Sequence, residues 1–360
     1  MKANRFHILT VNPGSTSTKI GVFNNLKPGF IKNIKHSAEE LKRFARVAEQ
    51  YEFRKDAIAN ELKNAGADIA DLDIIMARGG LIKPIPSGIY EVNDKMLADL
   101  ADGLMGEHAS NLGGLIAADL AKQSGKAKAY IADPVVVDEM HEVARVAGHP
   151  AFRRFSVFHA LNQKAIARRH ANSVNKKYED INLIVAHMGG GISVGAHRRG
   201  KVIDVNNALD GDGPFSPQRS GSLPARQVME ICFGGKHEKE QIERMLVGEG
   251  GFAAYLGIND AYEVEKRAEN GDADCRFFQE AMAYQVGKYI GSMAATLNGE
   301  VEAILLTGGI AYDTFICDYI RNMTKFIAPV IAYPGEDELS ALANNGLLLL
   351  KGVMLPQEYV

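Results

Sequence analysis

The stretch ILTVNPGSTSTKIGVF, residues 8–23, joins two apolar runs through a tight turn rich in glycine, serine and threonine. Glycine beside hydroxyls and a lysine is a common way for a chain to offer backbone N–H groups to phosphate. The turn fails the pattern G-x-x-x-x-G-K-[ST], because it has no second glycine and no hydroxyl after Lys19. Taken alone, the stretch predicts a β-hairpin and leaves phosphate binding open.

A second stretch repeats this design. The sequence INLIVAHMGGGISVGAHRRGKVIDV, residues 181–205, has an apolar run, a glycine-rich turn, and two further apolar runs separated by a short turn. Helical patterns and short apolar runs typical of buried strands follow each copy. The repetition predicts a duplicated α/β domain whose two hairpins face a shared nucleotide cleft. Two unrelated hairpins in a large α/β protein are the alternative.

Composition excludes several classes of protein. Of the 360 residues, 46% are hydrophobic and 24% are charged, as in globular proteins with room for two domains. The net charge of −3 gives no reason to expect nucleic acid or an anionic membrane as a partner. No apolar run reaches the ~18 residues of a membrane span. The three cysteines form no C-x-x-C pair, which favours reduced thiols in a cytoplasmic protein.

Two arginines are candidates for binding anions. Arg78 follows an apolar run and precedes two glycines, so we expect it at a strand end, where open α/β sheets bind ligands. Arg219 lies in the glycine- and proline-rich loop of residues 211–221, which can hold a guanidinium rigidly. Either side chain can bind carboxylate or phosphate through two parallel hydrogen bonds. A solvated surface charge is the alternative for each.

Several histidines and acidic residues lie next to the predicted start of a helix or end of a strand. His159 and His108 each precede a helical pattern, where a histidine can donate to an anion or simply cap and pack. Asp133 ends an apolar run before a proline, so it can orient a magnesium ion through waters or form an Asp-Pro turn. The acidic run at residues 336–338 can likewise serve a metal or begin a helix.

Nine motifs, in order along essentially the whole chain, carry a family resemblance: NPGSTSTK, ARGG, HASNLGG, DPVVVDE, VFHALNQK, AHMGGGISV, PFSPQRSG, LTGGIAY and PGEDEL. They resemble the acetate/butyrate kinase family, and its butyrate kinase branch most closely. The resemblance implies an α/β fold of two duplicated actin-like (ribonuclease H-like) ATPase domains around a central nucleotide cleft. It implies an N-terminal domain of residues 1–135 plus 340–360, and a C-terminal nucleotide-binding domain of residues 136–339.

The resemblance also implies a reaction. It is the reversible, direct in-line transfer of a phosphoryl group from ATP to a short-chain carboxylate, most closely butyrate, giving butanoyl phosphate and ADP. A kinase for isobutyrate, propionate or acetate is the alternative, followed by a non-metabolic actin-fold ATPase. A carboxylate is already ionised at neutral pH, so such an enzyme needs fixed cations and metal, not a general base. The implied cofactors are ATP/ADP and Mg²⁺, in a cytoplasmic homo-oligomer, at least a dimer, with no nucleic-acid or membrane partner.

By resemblance, the site residues form four sets. The catalytic set is Arg78, Asp133, His159 and Arg219. The substrate set is Asn12, Gly80, His108 and Phe158. The nucleotide set is Ser15, Thr16, Ser17, His187, Gly189, Gly190, Gly191, Gly308 and Gly309. The metal set is Asn12, Asp133, and Asp337 or Glu338, between which the sequence does not choose.

Two positions depart from acetate kinases. Gly80 stands where similar acetate kinases carry a branched apolar residue, so we expect more room for the acyl chain, with a purely backbone role as the alternative. Ala311 and Tyr312 follow the glycines of LTGGIAY in place of an asparagine and an acid. The contacts to adenine therefore stay open.

Overall fold

The computed structural model describes residues 5–360 and divides into two compact units. Unit 1 runs to Val137 and resumes at Asp337, and unit 2 comprises Asp138–Glu336. The expected boundaries lie a few residues away from these. Asp337 and Glu338 lie in unit 1.

Unit 1 is built on a six-stranded sheet. Its strands are β1 (His7–Pro13), β2 (Ser17–Asn24), β3 (Lys27–Lys35), β4 (Ile74–Arg78), β5 (Ile89–Glu91) and β6 (Lys128–Ala132). Their order is β3-β2-β1-β4-β6-β5. Strands β1, β2 and β3 form an antiparallel meander, and β4 and β6 extend it in parallel from β1. Strands β1, β4 and β6 read as nearly continuous apolar runs, as parallel strands covered on both faces do.

Unit 2 repeats this topology in a five-stranded sheet. Its strands are β7 (Asn182–Met188), β8 (Ile192–Arg198), β9 (Lys201–Val205), β10 (Ala303–Gly308) and β11 (Val330–Pro334). Their order is β11-β10-β7-β8-β9, so an antiparallel meander is again extended by two parallel strands. The predicted duplication of an α/β domain is confirmed.

Helices pack against both sheets. In chain order they are α1 (Ala38–Leu41), α2 (Tyr51–Asn64), α3 (Asp94–Asp102), α4 (Asn111–Ser124), α5 (Ala160–Ser173), α6 (Ala225–Phe233), α7 (Lys239–Leu246), α8 (Phe252–Leu256), α9 (Ala261–Glu269), α10 (Ala273–Thr296), α11 (Thr314–Thr324) and α12 (Glu338–Leu350). In unit 1, α4 packs on β4 and β6, and α12 packs on β1 and β4. Each unit buries its own apolar core. None of the helices in the described part of the chain is long and apolar enough to cross a membrane.

Candidate active site

The glycine- and serine-rich segment of the first motif forms the turn between β1 and β2. We call residues 14–18 the N-terminal turn. The Gly14 N–H donates to the Ser17 carbonyl over 2.7 Å and closes it. Ser15 and Thr16 are exposed at its tip, whereas Thr18 is buried at its base. The tip is thus open to a ligand while its base is fixed in the sheet.

Three predicted residues meet at the ends of β1 and β4. Asn12 Nδ2 donates to Glu338 Oε2, and Arg78 Nη1 donates to the same oxygen over 3.2 Å. Arg78 Nη1 also lies 3.5 Å from Asn12 Oδ1. Asn12 and Glu338 are buried, and a buried carboxylate needs partners of this kind. The cluster places one cation, one carboxylate and one amide together, with no hydrogen bond found for Arg78 Nε or Nη2 within residues 5–360.

The three acids of residues 336–338 have different surroundings. Glu336 Oε1 lies 3.1 Å from His187 Nε2 in unit 2. Asp337 is exposed and caps α12, since its carboxylate accepts the Ser340 N–H over 3.2 Å. Glu338 is buried in the cluster with Asn12. Between Asp337 and Glu338, it is Glu338 that is hydrogen-bonded to predicted site residues in the described part of the chain.

Asp133 is held at the same edge of the sheet as Arg78. Arg78 pairs with Ala132 at the ends of β4 and β6, and Asp133 follows directly. Its φ of +39° is uncommon for a residue with a side chain, and such backbone persists only where the surroundings fix it. Asp133 Oδ1 accepts the Gly88 N–H over 3.0 Å and the Ser87 hydroxyl over 2.5 Å. The buried carboxylate is therefore oriented by the two residues that directly precede β5.

Gly80 and His108 both lie against the start of α4. A Cβ at Gly80 would lie 2.5 Å from Asn111 Cα, so the glycine lets α4 approach the end of β4. This contact accounts for a glycine at position 80 without any acyl chain. The role of Gly80 in making room for an acyl chain therefore stays a prediction. His108 Nδ1 accepts the Ser110 N–H over 3.2 Å, which leaves Nε2 as the protonated nitrogen of the neutral ring.

In unit 2, two predicted histidines stack on each other. The rings of His159 and His187 have centroids 3.8 Å apart and planes 13° apart. His187 is fully buried, with Nδ1 2.9 Å from Asn162 Oδ1. His187 Nε2 faces Glu336, but off the direction of a hydrogen bond, and it has no hydrogen-bond partner in the described chain. A buried nitrogen in this state is a feature of sites where a ligand or water supplies the partner.

A buried hydrogen-bond chain leads to His159. Burial, with the nearby Lys164 and Arg168 charges, holds the pKa of His197 well below its usual range, so that ring is neutral. Its Nε2 lies 2.9 Å from Gln163 Oε1, and an amide oxygen only accepts. His197 Nε2 therefore carries the proton, and Nδ1 accepts from the Tyr178 hydroxyl at 2.7 Å.

The chain continues from Gln163 to the first stacked ring. Gln163 Nε2 donates to Ser193 Oγ over 2.8 Å and to its carbonyl over 3.0 Å. Ser193 Oγ also accepts the His159 backbone N–H over 3.5 Å, so both of its lone pairs are used, and its hydroxyl donates to His159 Nδ1 over 2.9 Å. His159 thus carries its proton on Nε2, the nitrogen that does not face Ser193. A neutral imidazole N–H donor results.

The guanidinium of Arg219, from the loop of residues 211–221, packs against the glycine-rich turn between β7 and β8. A Cβ at Gly191 would lie 2.5 Å from Arg219 Cζ, so only glycine leaves room for the guanidinium. Arg219 Nη1 donates to the Ala208 carbonyl, and Ser216 Oγ donates to the Gly190 carbonyl over 2.7 Å. The loop and the turn are therefore fastened together, and Arg219 is not a freely solvated surface charge.

The remaining nucleotide and substrate candidates also lie in unit 2. Gly308 ends β10 with φ +90°, and a Cβ there would lie 2.7 Å from the Met188 carbonyl carbon. Gly309 is exposed, and no described atom lies within 4 Å of where its Cβ would be. A flat ring can approach the backbone at such a position. Phe158 is buried directly before His159.

Comparison with known proteins shows the family of this chain. Residues 144–325 match the model of the acetokinase family. Butyrate kinase 2 of Clostridium acetobutylicum is 53% identical over 355 residues, which cover 99% of each chain. The chain belongs to the acetokinase family. It is a phosphotransferase with a carboxyl group as acceptor and ATP as the phosphoryl donor, as the nine motifs led us to expect.

Solved structures of the family share the fold. Acetate kinase of Porphyromonas gingivalis superposes with a TM-score of 0.74 at 19% identity, covering 96% of this chain and 100% of that one. A propionate kinase of Francisella tularensis gives 0.70 at 19% identity, covering 94% and 98%. At this identity the likeness concerns the fold alone.

The residues that orient the predicted site residues could not be identified from the sequence. Ser193, Gln163 and Asn162 lie inside quoted family motifs, yet nothing in those motifs shows which of them touch a histidine ring. Glu336 appeared only as a member of an acidic run. Ser193, Gln163 and Asn162 share one signal, a polar residue type at a buried position, whereas Glu336 is exposed and lacks it.

Proposed function

We propose that this chain phosphorylates butyrate with ATP, giving butanoyl phosphate and ADP, and that it runs in both directions. The observation that carries the proposal is the 53% identity to the clostridial butyrate kinase 2 along 99% of both chains. In the transfer, a carboxylate oxygen forms a bond to the γ-phosphorus as the bond from that phosphorus to the β–γ bridging oxygen breaks. No proton needs to move, so the residues that matter are donors and cations.

Three side chains are proposed to offset the charge of the transferring group. Arg78 offers Nε and Nη2, which make no hydrogen bond to another described residue. Arg219 is held rigidly on the turn at Gly191, and His159 presents an N–H at Nε2. Fixed donors of this kind are each worth roughly 10²–10³ in turnover where they meet charge that develops in the transition state.

The nucleotide is proposed to be held by backbone. We assign its phosphates to the N-terminal turn, including Ser17, and to the turn of Gly189, Gly190 and Gly191. We assign its adenosine to the open backbone at Gly309, with Gly308 setting the direction of the chain. His108, with Nε2 protonated, is assigned to the acceptor carboxylate, and Phe158 to the wall around the acyl chain.

The proposal includes a magnesium ion. Its candidate ligands in unit 1 are oxygen donors, the carboxylates of Glu338 and Asp133 and the amide of Asn12, which suit a hard cation that prefers one or two carboxylates, waters and phosphates. We choose Glu338 over Asp337 because Glu338 is the one bonded to Asn12, whereas Asp337 caps a helix. When bound, magnesium supplies positive charge to the phosphate oxygens.

We also propose a cytoplasmic homo-oligomer of at least two copies. Cytoplasm is where ATP and short-chain acyl phosphates are handled. Self-association is supported by α6, none of whose residues is buried, and by the exposure of Met229 (53%) and Phe233 (87%) on it. Exposed apolar surface of this kind commonly marks a protein contact. Sedimentation of the purified protein tests the oligomer.

A panel of acids tests the substrate. We expect kcat/KM for butyrate to exceed that for acetate by roughly tenfold, since each buried CH₂ is worth about 0.8 kcal/mol and a pocket converts only part of that. Propionate should fall between the two acids, and isobutyrate tests the width of the pocket. Acetate or propionate as the best substrate would replace butyrate in the proposal while leaving the reaction class in place.

A further inference from the structure

A buried arginine lies under the N-terminal turn. Arg54 of α2 is fully buried on the same helix face as Ile58 and Leu62. Its Nη1 donates to the Gly14 carbonyl over 2.8 Å and lies 3.3 Å from the Ser17 carbonyl. Arginine in the apolar stripe of a helix is unusual, because a buried guanidinium must find acceptors for all its N–H groups.

The other guanidinium atoms also reach the turn. Arg54 Nη1 donates to Thr18 Oγ1 over 3.1 Å, and Nη2 donates to the Ser15 carbonyl over 3.0 Å. Gln50 Oε1 accepts from both Nε and Nη2, at 3.0 and 2.8 Å. Every nitrogen of the guanidinium is thereby bonded, and half of the six contacts go to backbone oxygens of the turn.

These contacts give the turn two different faces. The His36 N–H donates to the Thr16 carbonyl over 2.9 Å, so the carbonyls of all four residues 14–17 accept hydrogen bonds from the protein. By contrast, the N–H groups of Ser15 and Thr16 donate to no residue from 5 to 360. A turn whose carbonyls are bound inward and whose N–H groups are open is built to receive an anion.

The charge under the turn is not paired. No carboxylate in the described chain forms an ion pair with Arg54, and its hydrogen bonds go to neutral oxygens. Burial lowers the pKa of Arg54 to about 10, which still leaves the guanidinium charged at neutral pH. A buried, unpaired cation is costly in the free protein, and an anion bound on the open face of the turn would offset part of that cost.

We propose that Arg54 is a positioning residue for the nucleotide phosphate, acting through the N-terminal turn. It holds the carbonyls of the turn inward, so that the Ser15 and Thr16 N–H groups face the phosphate, and its charge favours an anion there. The identity of the anion as ATP rests on the proposed function, whereas the preference of the turn for phosphate does not.

Binding measurements on variants test this role. We expect Arg54→Met to weaken ATP binding by about tenfold or more, since that loss is the ~1.4 kcal/mol that a single well-placed charge contributes. Arg54→Lys keeps the charge but cannot make the forked contacts, so its ATP affinity should be intermediate. KM for butyrate should change little in either variant. Calorimetric titration with ATP gives the affinity.

The matched control is the neighbouring cation on the same helix. Lys55→Met removes one positive charge from α2 and two ion pairs, to Glu52 and Asp119, without touching the turn. It should leave ATP affinity unchanged. Normal ATP affinity in Arg54→Met, with only its stability lowered, would show that Arg54 is merely structural and would overturn the proposal.

A second measurement uses the unmodified protein. Hydrogen exchange at the Ser15 and Thr16 amides should slow when ATP or inorganic phosphate is added, because these groups gain an acceptor. Unchanged exchange at saturating ATP would overturn the proposal even where Arg54→Met does not fold. If ATP binds and slows exchange but no acyl phosphate forms, the proposed function fails and the role of Arg54 stands.

Discussion

His159 Nδ1 and Ser193 Oγ lie 2.9 Å apart in unit 2, and Gln163 donates to the same serine oxygen. Ser193 Oγ also accepts the His159 backbone N–H, so its hydroxyl donates to the ring and His159 keeps its proton on Nε2. A neutral histidine with a fixed N–H suits a reaction that needs a donor to phosphate and no general base.

Replacing the serine tests this assignment. Ser193→Ala should lower kcat by about tenfold, since the ring loses the bond that fixes its tautomer and orientation, a loss of roughly 1–1.5 kcal/mol. KM for ATP should stay close to normal. Ser173→Ala is the control, since within residues 5–360 that hydroxyl is bonded to the His170 carbonyl of its own helix. An unchanged kcat would remove Ser193 from the mechanism.

Arg219 should be irreplaceable. Arg219→Ala is expected to lower kcat by ~10²-fold or more, and Arg219→Lys should recover little, because an ammonium cannot make the forked contact. Gly191→Ala should reduce kcat in the same direction, since its Cβ would displace the guanidinium. Steady-state kinetics with butyrate measures all three. Near-normal turnover in Arg219→Ala would exclude the arginine from catalysis.

Asp133 should affect the metal and not the fold. Asn also tolerates a positive φ, and its Oδ1 can still accept from Gly88 and Ser87. Asp133→Asn should therefore fold normally and need a higher magnesium concentration for half-maximal rate. The measurement is a magnesium titration of kcat beside a thermal melt. A lowered Tm with an unchanged magnesium requirement would make Asp133 a structural turn residue.

Stability should fall as the solution becomes acidic. Burial, the largest cause in each case, lowers the pKa of His36, His170 and His197. As pH drops below about 6.5, the unfolded chain takes up protons that the native state does not, at up to ~1.4 kcal/mol per pH unit for each proton. The stabilisation is complete above that pH and is lost below it. Urea unfolding of the wild type and of His170→Gln should show a shallower loss in the variant; equal slopes would contradict the shift at His170.

The sequence was sufficient to predict the repeated hairpins. Both glycine-rich turns lie between runs of alternating and continuous apolar residues, a local pattern that survives without tertiary information. The position of Arg78 at the carboxyl end of β4 was predictable in the same way, because the strand ends where its apolar run stops.

Side-chain surroundings were not predictable in this way. The acidic run at residues 336–338 looks uniform in sequence, but the chain passes between the units there, and adjacent acids meet different partners. Gly80 carries a backbone contact with Asn111 that only the approach of α4 reveals. Arg54 is the one charged residue in the stripe of Arg54, Ile58 and Leu62, and a charge at that position is a signal that the sequence does contain.

The activity proposed for this chain is the formation of an acyl phosphate. The most direct test incubates the protein with ATP, magnesium and butyrate in the presence of hydroxylamine, which traps acyl phosphates as hydroxamates. We expect hydroxamate and ADP to form in equal amounts, with neither formed by Arg219→Ala at a comparable rate. ADP and inorganic phosphate released without hydroxamate, or release that is independent of butyrate, would contradict the account and indicate an ATPase of another kind.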